Sequence, residues 1–288
     1  MDTIRKAIKT VTGSRQTDGA GVNLTRVLSR GTVKDFDPFL MLDAFDSTNP
    51  DDYTRGFPWH PHRGIETVTY LISGRIEHGD SLGNSGEILD GCCQWMTAGG
   101  GIIHQEMPTA SPRMLGVQLW LNLPSGDKMT SPHYRDIQAD MVPEIKEDGA
   151  VVRVISGDYK GEAGAIESDY VKMTFLDIAL NAAAEWTLDT TPGNTLFVYI
   201  IEGDAYFEAE GGRQNFDSRS AVLFSDGSSF FAKAGDSGAR LLLFTAPPLR
   251  EPVAWGGPIV MNTQEELSQA FRDIDEGNFI SHDIKGLG

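Results

Sequence analysis

The stretch Thr67-Val-Thr-Tyr-Leu-Ile-Ser-Gly74 combines β-branched and aromatic residues with a final glycine, and the chain continues as Arg75-Ile-Glu-His78. This pattern predicts two strands joined by a turn, which is a β-hairpin. Glycine is also abundant, with 32 residues among 288, and the apolar runs are short. Because such a composition is typical of an all-β chain with many tight turns, we expect little helix.

The same pattern returns in the second half of the chain. The stretch Thr195-Leu-Phe-Val-Tyr-Ile-Ile-Glu-Gly203 places its tyrosine 129 residues after Tyr70. A weaker match at nearly the same offset pairs Gly116-Val-Gln-Leu-Trp120 with Arg240-Leu-Leu-Leu-Phe244. An internal repeat of this kind predicts two copies of one β-barrel unit.

A polar connector is expected between the two copies. Residues 131–149 carry Pro132, Pro143 and an acidic stretch, which is typical of a segment that runs over the surface. We therefore place the boundary near residue 140, with an N-terminal barrel over residues 1–140 and a C-terminal barrel over residues 141–288.

One short packing helix is predicted near the end of the C-terminal barrel. Thr263 and Glu266 have the spacing of a capping box, and apolar residues then recur at helical spacing before Gly277, at Leu267, Phe271 and Ile274. Together these signals predict both the start and the end of the helix.

The charge and cysteine content exclude several classes of protein. A formal charge of −17 argues against direct nucleic-acid binding, because phosphate contacts need a clustered basic surface. No apolar run approaches the length of a membrane span or of a secretory signal. Cys92 and Cys93 are adjacent and cannot link distant segments, so we expect buried, inert thiols in a cytoplasmic, monomeric protein.

Three of the six histidines fall in two short segments, His60-Pro-His62 and His104-Gln-Glu106. Residues at i and i+2 of a β-strand point to the same side, about 6.6 Å apart. If the two segments lie side by side as strands, three imidazoles and one carboxylate converge in the manner of a mononuclear transition-metal site. A lone histidine in a strand is more often a core or surface residue, and we interpret His78, His133 and His282 in that way.

The repeat predicts that the C-terminal barrel holds no metal. At an offset of 129 residues the four candidate ligand positions become Asp189, Thr191, Lys233 and Gly235. No histidine lies between His133 and His282, so a small shift of register does not restore a second site.

Three blocks of sequence resemble the pirin family of the cupin superfamily. The first two resemble its cupin motifs and are Gly56-Phe-Pro-Trp-His-Pro-His-Arg-Gly-Ile-Glu66 and Gln94-Trp-Met-Thr-Ala-Gly-Gly-Gly-Ile-Ile-His-Gln-Glu-Met-Pro108. The third is Pro248-Leu-Arg-Glu-Pro-Val253 with Gly257-Pro-Ile-Val-Met-Asn-Thr263. The resemblance implies a double cupin with Fe(II) in the N-terminal barrel, held by His60, His62, His104 and Glu106. Other divalent transition metals, namely Mn, Ni, Co, Cu and Zn, suit the same donors.

The resemblance also implies one of two functions. The first is a dioxygenase that uses dioxygen to cleave a flavonol such as quercetin. The second is a non-catalytic, iron-dependent regulator that binds a protein partner, such as a transcription regulator or a metabolic enzyme, with an affinity set by the oxidation state of the metal. The chain departs from the family at Cys92-Cys93, where an Asp and an aliphatic residue are more usual, so no Asp is present at this position to take part in the site.

The chemistry of the donors independently favours an open site. Three neutral imidazoles and one carboxylate leave positions on a divalent ion for water, substrate or dioxygen. Glu66 is a rival carboxylate, because it follows His62 by four residues and strand parity also aims it inward. Pirin-like sequences place the acid in the second motif, so we assign Glu106 to the metal, and as the catalytic base, and place Glu66 beside the ligands.

Large apolar residues flank the ligand segments and could form a cavity for a flat aromatic substrate. Alternation along a strand turns half of them outward, so we expect only two or three to face a ligand among Phe57, Trp59, Trp95, Met96, Met107 and Trp120. Gln118 is expected to point inward, either as a polar contact of the cavity or as a satisfied core amide.

Overall fold

The computed structural model describes residues 3–281 of the chain. Within that range the α-helices are α1 Val33–Phe36 and α2 Gln264–Asp275. The strands are β1 Ala7–Thr12, β2 Ser14–Asp18, β3 Val22–Leu28, β4 Phe39–Ser47, β5 Phe57–His62, β6 Ile65–Ser73, β7 Ile76–Asp80, β8 Ser85–Ile88, β9 Cys93–Thr97, β10 Ile102–Pro108, β11 Met114–Asn122, β12 His133–Ile137, β13 Glu144–Glu147, β14 Ala150–Ser156, β15 Asp158–Tyr159, β16 Glu162–Ala163, β17 Thr174–Leu180, β18 Glu185–Asp189, β19 Thr195–Ala209, β20 Gly212–Asp217, β21 Ser220–Phe224, β22 Ser229–Ala246, β23 Ala254–Gly256 and β24 Ile259–Met261. None of the helices in the described residues is long and apolar enough to cross a membrane. The predicted all-β class is confirmed.

The chain divides into two compact units. The N-terminal unit comprises Ser14–Val33, Phe39–Ala139 and 249–281, and the C-terminal unit comprises 3–13, Lys34–Pro38 and Asp140–Pro248. This division differs from the predicted ranges of 1–140 and 141–288 at both ends of the chain. Strand β1 pairs with β21 of the C-terminal unit, whereas Ile259 forms a bridge with Arg63 of the N-terminal unit. Helix α2 therefore belongs to the N-terminal unit.

The N-terminal unit contains a sheet of seven strands in the order β12-β9-β6-β11-β4-β3-β2 and a sheet of four in the order β5-β10-β7-β8. The predicted hairpin of residues 67–78 is wrong in its pairing. Strand β6 pairs with β9 and β11, while β7 pairs with β8 and β10, so the chain passes from one sheet to the other at this turn. Gly74, with φ of +126°, adopts a conformation at the corner that other residues rarely reach.

The C-terminal unit repeats this arrangement with longer strands. Its sheet has the order β1-β21-β19-β22-β17-β14-β13, with β18 added to β22 and β20 added to β19. Strands β19 and β22 are 15 and 18 residues long. Each of them corresponds to two consecutive strands of the N-terminal unit. Strand β19 corresponds to β6 and β7, and strand β22 corresponds to β10 and β11.

Residues 131–149 form more than a connector, because β12 pairs with β9 and β13 pairs with β14.

The predicted helix is confirmed as α2, and its capping box is complete: the Thr263 hydroxyl accepts from the Glu266 amide, and the Glu266 carboxylate accepts from the Thr263 amide. Leu267 buries the inner face of α2 beside β24.

Candidate metal centre

The structure brings three histidines together on one pair of strands. Strands β5 and β10 are antiparallel neighbours, with His60 opposite His104 and His62 opposite Ile102. The distances between ring centroids are 4.8 Å for His60 and His62, 4.4 Å for His60 and His104, and 5.0 Å for His62 and His104. One nitrogen from each ring lies within 4.8 Å of the others. Strand parity and the strand pairing together produce this convergence.

Backbone carbonyl groups orient two of the three rings. Nδ1 of His60 lies 2.9 Å from the Pro58 oxygen, and Nδ1 of His62 lies 3.1 Å from the Pro258 oxygen. A carbonyl oxygen only accepts hydrogen bonds, so both Nδ1 atoms carry the proton and both Nε2 atoms keep a free lone pair. Fixing one ring nitrogen in this way is how proteins prepare the other to bind a metal.

The third ring, His104, is fully buried and has no such partner. Neither of its nitrogens makes a hydrogen bond with any of the residues from 3 to 281. Burial lowers the pKa of His62 and of His104 well below the usual value for histidine, and the nearby His60 lowers both further. A buried imidazole without a partner is costly unless something binds it.

These residues fit a divalent transition metal. Neutral imidazole is the form that coordinates, and metal–nitrogen bonds of about 2.1 Å join nitrogens that lie up to ~4.2 Å apart, so a small closing of the three rings suffices. An ion at this point would also give His104 the partner that it lacks. The donor set of nitrogen ligands suits iron, nickel, copper or zinc rather than calcium or magnesium.

Glu106 lies near this group but outside it. The carboxylate accepts from the Thr69 hydroxyl at 3.0 Å and from the Gln118 amide at 2.9 and 2.7 Å, so both of its oxygens are engaged. The pairing of β10 with β5 shifts register between His104 and Glu106, which then lies opposite Phe57 rather than in line with the histidine pairs. Gln118 is thus a satisfied amide that also faces the cavity described below.

Glu66 also stands apart from the three histidines. It is completely buried on β6, where one of its oxygens accepts from the Thr97 hydroxyl at 2.7 Å. Its second oxygen has no partner among the described residues. Burial raises the pKa of Glu66, and the hydrogen bond from Thr97 partly opposes that shift. The histidine group does not include it.

A cavity of about 840 Å³ opens beside His60 and His62. Of the six apolar residues proposed as its lining, three face it, namely Phe57, Trp59 and Trp120. Trp95 and Met96 are instead fully buried in the core. Sequence reasoning missed several other wall residues, which come from β3, the loop after it, β4, β23 and the turn before β24: Arg26, Arg30, Met41, Asp43, Trp255 and Pro258.

The histidine group includes none of the other candidate residues that the structure describes. His78 is buried, with its ring 4.8 Å from that of Tyr134 and its Nε2 3.2 Å from Asp136. His133 contacts Thr97 and Arg135, while His282 lies outside the described residues. Both cysteines are buried and unpaired, as predicted, and burial raises the pKa of Cys93.

Two β-barrels in one chain, with a group of histidines on a strand pair of one of them, define a bicupin protein with a candidate metal centre. The pirin model matches residues 21–121, and the model of the pirin C-terminal cupin domain matches residues 175–280. The chain therefore belongs to the pirin family, and the double cupin fold implied by its sequence is confirmed.

Similar proteins agree with this assignment. The chain is 42% identical over 279 residues to a pirin-like protein of Caulobacter vibrioides, covering 96% of this chain and 99% of that one. It is 38% identical over 279 residues to human pirin, covering 95% and 93% of the two chains. The crystal structure of quercetin 2,3-dioxygenase from Acinetobacter baumannii has a TM-score of 0.86 and 33% identity, with coverage of 96% and 99%.

Proposed function

We propose that this protein is an iron-dependent dioxygenase that cleaves a flavonol such as quercetin. The metal would be held by His60, His62, His104 and Glu106. The observation that carries the proposal is the position of the histidines, two of which form part of the wall of an aromatic-lined cavity while the third, His104, is buried without a partner. The similarity to a solved quercetin dioxygenase adds the type of substrate.

The size and lining of the cavity suit a flat substrate. A volume of about 840 Å³ lies within the range of small-molecule sites, which run from ~300 to ~1,000 Å³. Trp120 packs edge-on against His62, with ring centroids 5.0 Å apart, so an aromatic ring that contacts this indole is held next to the histidines. Phe57 provides apolar surface near His60, 6.4 Å away between centroids.

Bound iron would supply the redox chemistry with dioxygen that protein side chains lack. The protein's own part is to orient the substrate and to take up a proton from its enol hydroxyl. We assign the second task to Glu106, whose carboxylate is held in place by Gln118. Because Gln118 also faces the cavity, its amide can move from the carboxylate to a substrate oxygen and so release Glu106 to act as a base or ligand.

The proposal is tested with protein purified without added metal. Iron content is measured first, and oxygen uptake with quercetin is then followed for the wild type and for His104→Ala. We expect uptake that requires the bound iron and that falls to background in the variant. Full iron occupancy with no uptake of oxygen with quercetin or other flavonols would overturn the enzyme proposal in favour of an iron-bearing regulator.

The proposed function includes a cytoplasmic location, which we infer from the two cysteines that form no disulfide.

A further inference from the structure

Two arginines line the cavity, and they differ in what they bind. Arg26 is paired with two carboxylates. It donates to both oxygens of the buried Asp43 at 2.9 and 2.7 Å, and to Asp18 at 2.7 Å. Arg30 is exposed, and it has no hydrogen bond or ion pair with any residue from 3 to 281. The chain has 41 acidic and 24 basic residues, yet no carboxylate among the described residues pairs with this cavity-lining cation.

Arg30 is held in place by an aromatic ring. Its guanidinium carbon lies 5.4 Å from the centre of the Trp255 ring, which is a cation–π contact. The indole of Trp255 is itself fixed, because its N–H donates to the Gly257 oxygen at 2.8 Å. The charge is therefore oriented by a rigid support while its hydrogen-bond donors stay free.

A line of contacts joins this charge to the histidines. The ring of Trp255 lies 5.8 Å from that of Trp120, and Trp120 lies 5.0 Å from His62. Each contact is about as long as one aromatic ring is wide. A ligand of two or three linked rings that lies along the two indoles would therefore reach from the histidines to Arg30.

We propose that Arg30 and Trp255 form an anion subsite at the outer end of the cavity. The preferred ligand is an aromatic compound with one end at the histidines and an acidic substituent, such as a sulfonate or carboxylate, at Arg30. Guanidinium groups suit such oxyanions because their donors match two oxygens at once. This inference names the substrate class of the proposed reaction and rests on that proposal for the aromatic part of the ligand.

The test compares two ligands that differ in one charge. Quercetin and quercetin sulfonate are titrated by calorimetry into metal-free, full-length protein, so that binding of the anion to a metal does not contribute. We expect the wild type to bind the sulfonate about fivefold more tightly than quercetin, and Arg30→Gln to lose that preference. Affinity for quercetin itself should change by less than about twofold in this variant.

Two further variants serve as controls. Arg15→Gln removes an exposed arginine on β2 that does not line the cavity, and it should leave the preference intact. Arg30→Lys keeps the charge but lacks the paired donors of a guanidinium, and it should retain only part of the preference. Equal affinity of the wild type for both ligands, or an equal change for both in Arg30→Gln, would overturn the anion subsite. Because the titration needs no metal, a missing oxygenase activity would reject the proposed function and leave this result standing.

Discussion

The two barrels contain the same strand pair with different contents. In the N-terminal unit β5 pairs with β10, and His60 lies opposite His104. In the C-terminal unit β18 pairs with the first part of β22, and Asp189 lies opposite Ser229. A constant offset of 129 residues would assign Lys233 to the His104 position, but Lys233 lies opposite Glu185. The inward-facing residues of this part of β22 are instead Phe230, Ala232 and Ala234, so apolar side chains occupy the face that carries His104 in the N-terminal unit.

The interiors next to these strand pairs differ as well. In the C-terminal unit four buried rings contact one another at centroid distances of 4.9 to 6.1 Å, those of Trp186, Phe207, Phe224 and Phe230. In the N-terminal unit the corresponding strands bury His62 and His104 beside a cavity. In the C-terminal unit aromatic and aliphatic side chains fill the space next to this strand pair, so the strand pair itself does not require buried histidines. The histidines buried there in the N-terminal unit therefore point to a function rather than to the needs of the fold.

The largest effect is expected on the stability of the C-terminal unit, where aromatic rings fill the interior. Phe207 contacts Phe224 and Phe230 and is fully buried. Phe207→Ala should lower the free energy of unfolding by ~3–5 kcal/mol, because it removes apolar contacts and leaves a cavity. Urea unfolding measures the loss. A change below about 1 kcal/mol would show that the aromatic cluster does not stabilise this unit.

The next effect concerns metal affinity in the two units. His104→Ala removes one of the three converging imidazoles and should weaken metal binding by about 100-fold or more, whereas Ser229→Ala, on the corresponding strand of the C-terminal unit, should leave it unchanged. Competition with a chelator measures both affinities. Equal losses in the two variants would break the distinction between the barrels.

A further pair of variants tests which of the two buried carboxylates, Glu106 or Glu66, binds the metal. Glu106→Gln should weaken metal binding by about tenfold, since it removes the charge that we assign to the metal. Glu66→Gln serves as its matched control and should retain the metal, because Glu66 lies outside the histidine group. The opposite pattern would exchange the roles of the two residues.

The smallest effect is a dependence of stability on pH. Burial lowers the pKa of His62 and His104 in the folded protein, whereas histidine in an unfolded chain titrates near ~6.5. Below ~6.5 the unfolded state therefore binds more protons than the folded state, and stability falls as the pH falls. Metal-free protein should lose on the order of 1 kcal/mol between pH 7 and pH 6. His104→Gln should lose less over the same range, and an identical loss in both proteins would count against this origin.

The sequence predicts the parts of this site that depend on strand parity. Two-residue spacing puts His60 and His62 on one face of β5, and the pairing of β5 with β10 then adds His104. The double barrel can also be predicted from the sequence. The repeat of Tyr70-Leu-Ile-Ser-Gly74 lies in β19, which is the counterpart of β6.

Long-range packing explains what the sequence does not predict. Trp255 and Pro258 line the cavity although they lie about 150 to 200 residues along the chain from the ligand segments. The partners of Glu106 are Thr69 and Gln118, on strands of the other sheet, and no local spacing relates them to Glu106. The pairing of β6 and β7 with different strands also depends on a corner at Gly74 that resembles a hairpin turn in sequence.

The most direct test of the difference between the barrels is anomalous X-ray diffraction from crystals of the full-length protein as purified, at the absorption edge of the metal found by elemental analysis. We predict one peak per chain, within coordination distance of His60, His62 and His104. A peak in the C-terminal unit, or no peak at the histidines in protein that contains stoichiometric metal, would contradict the account.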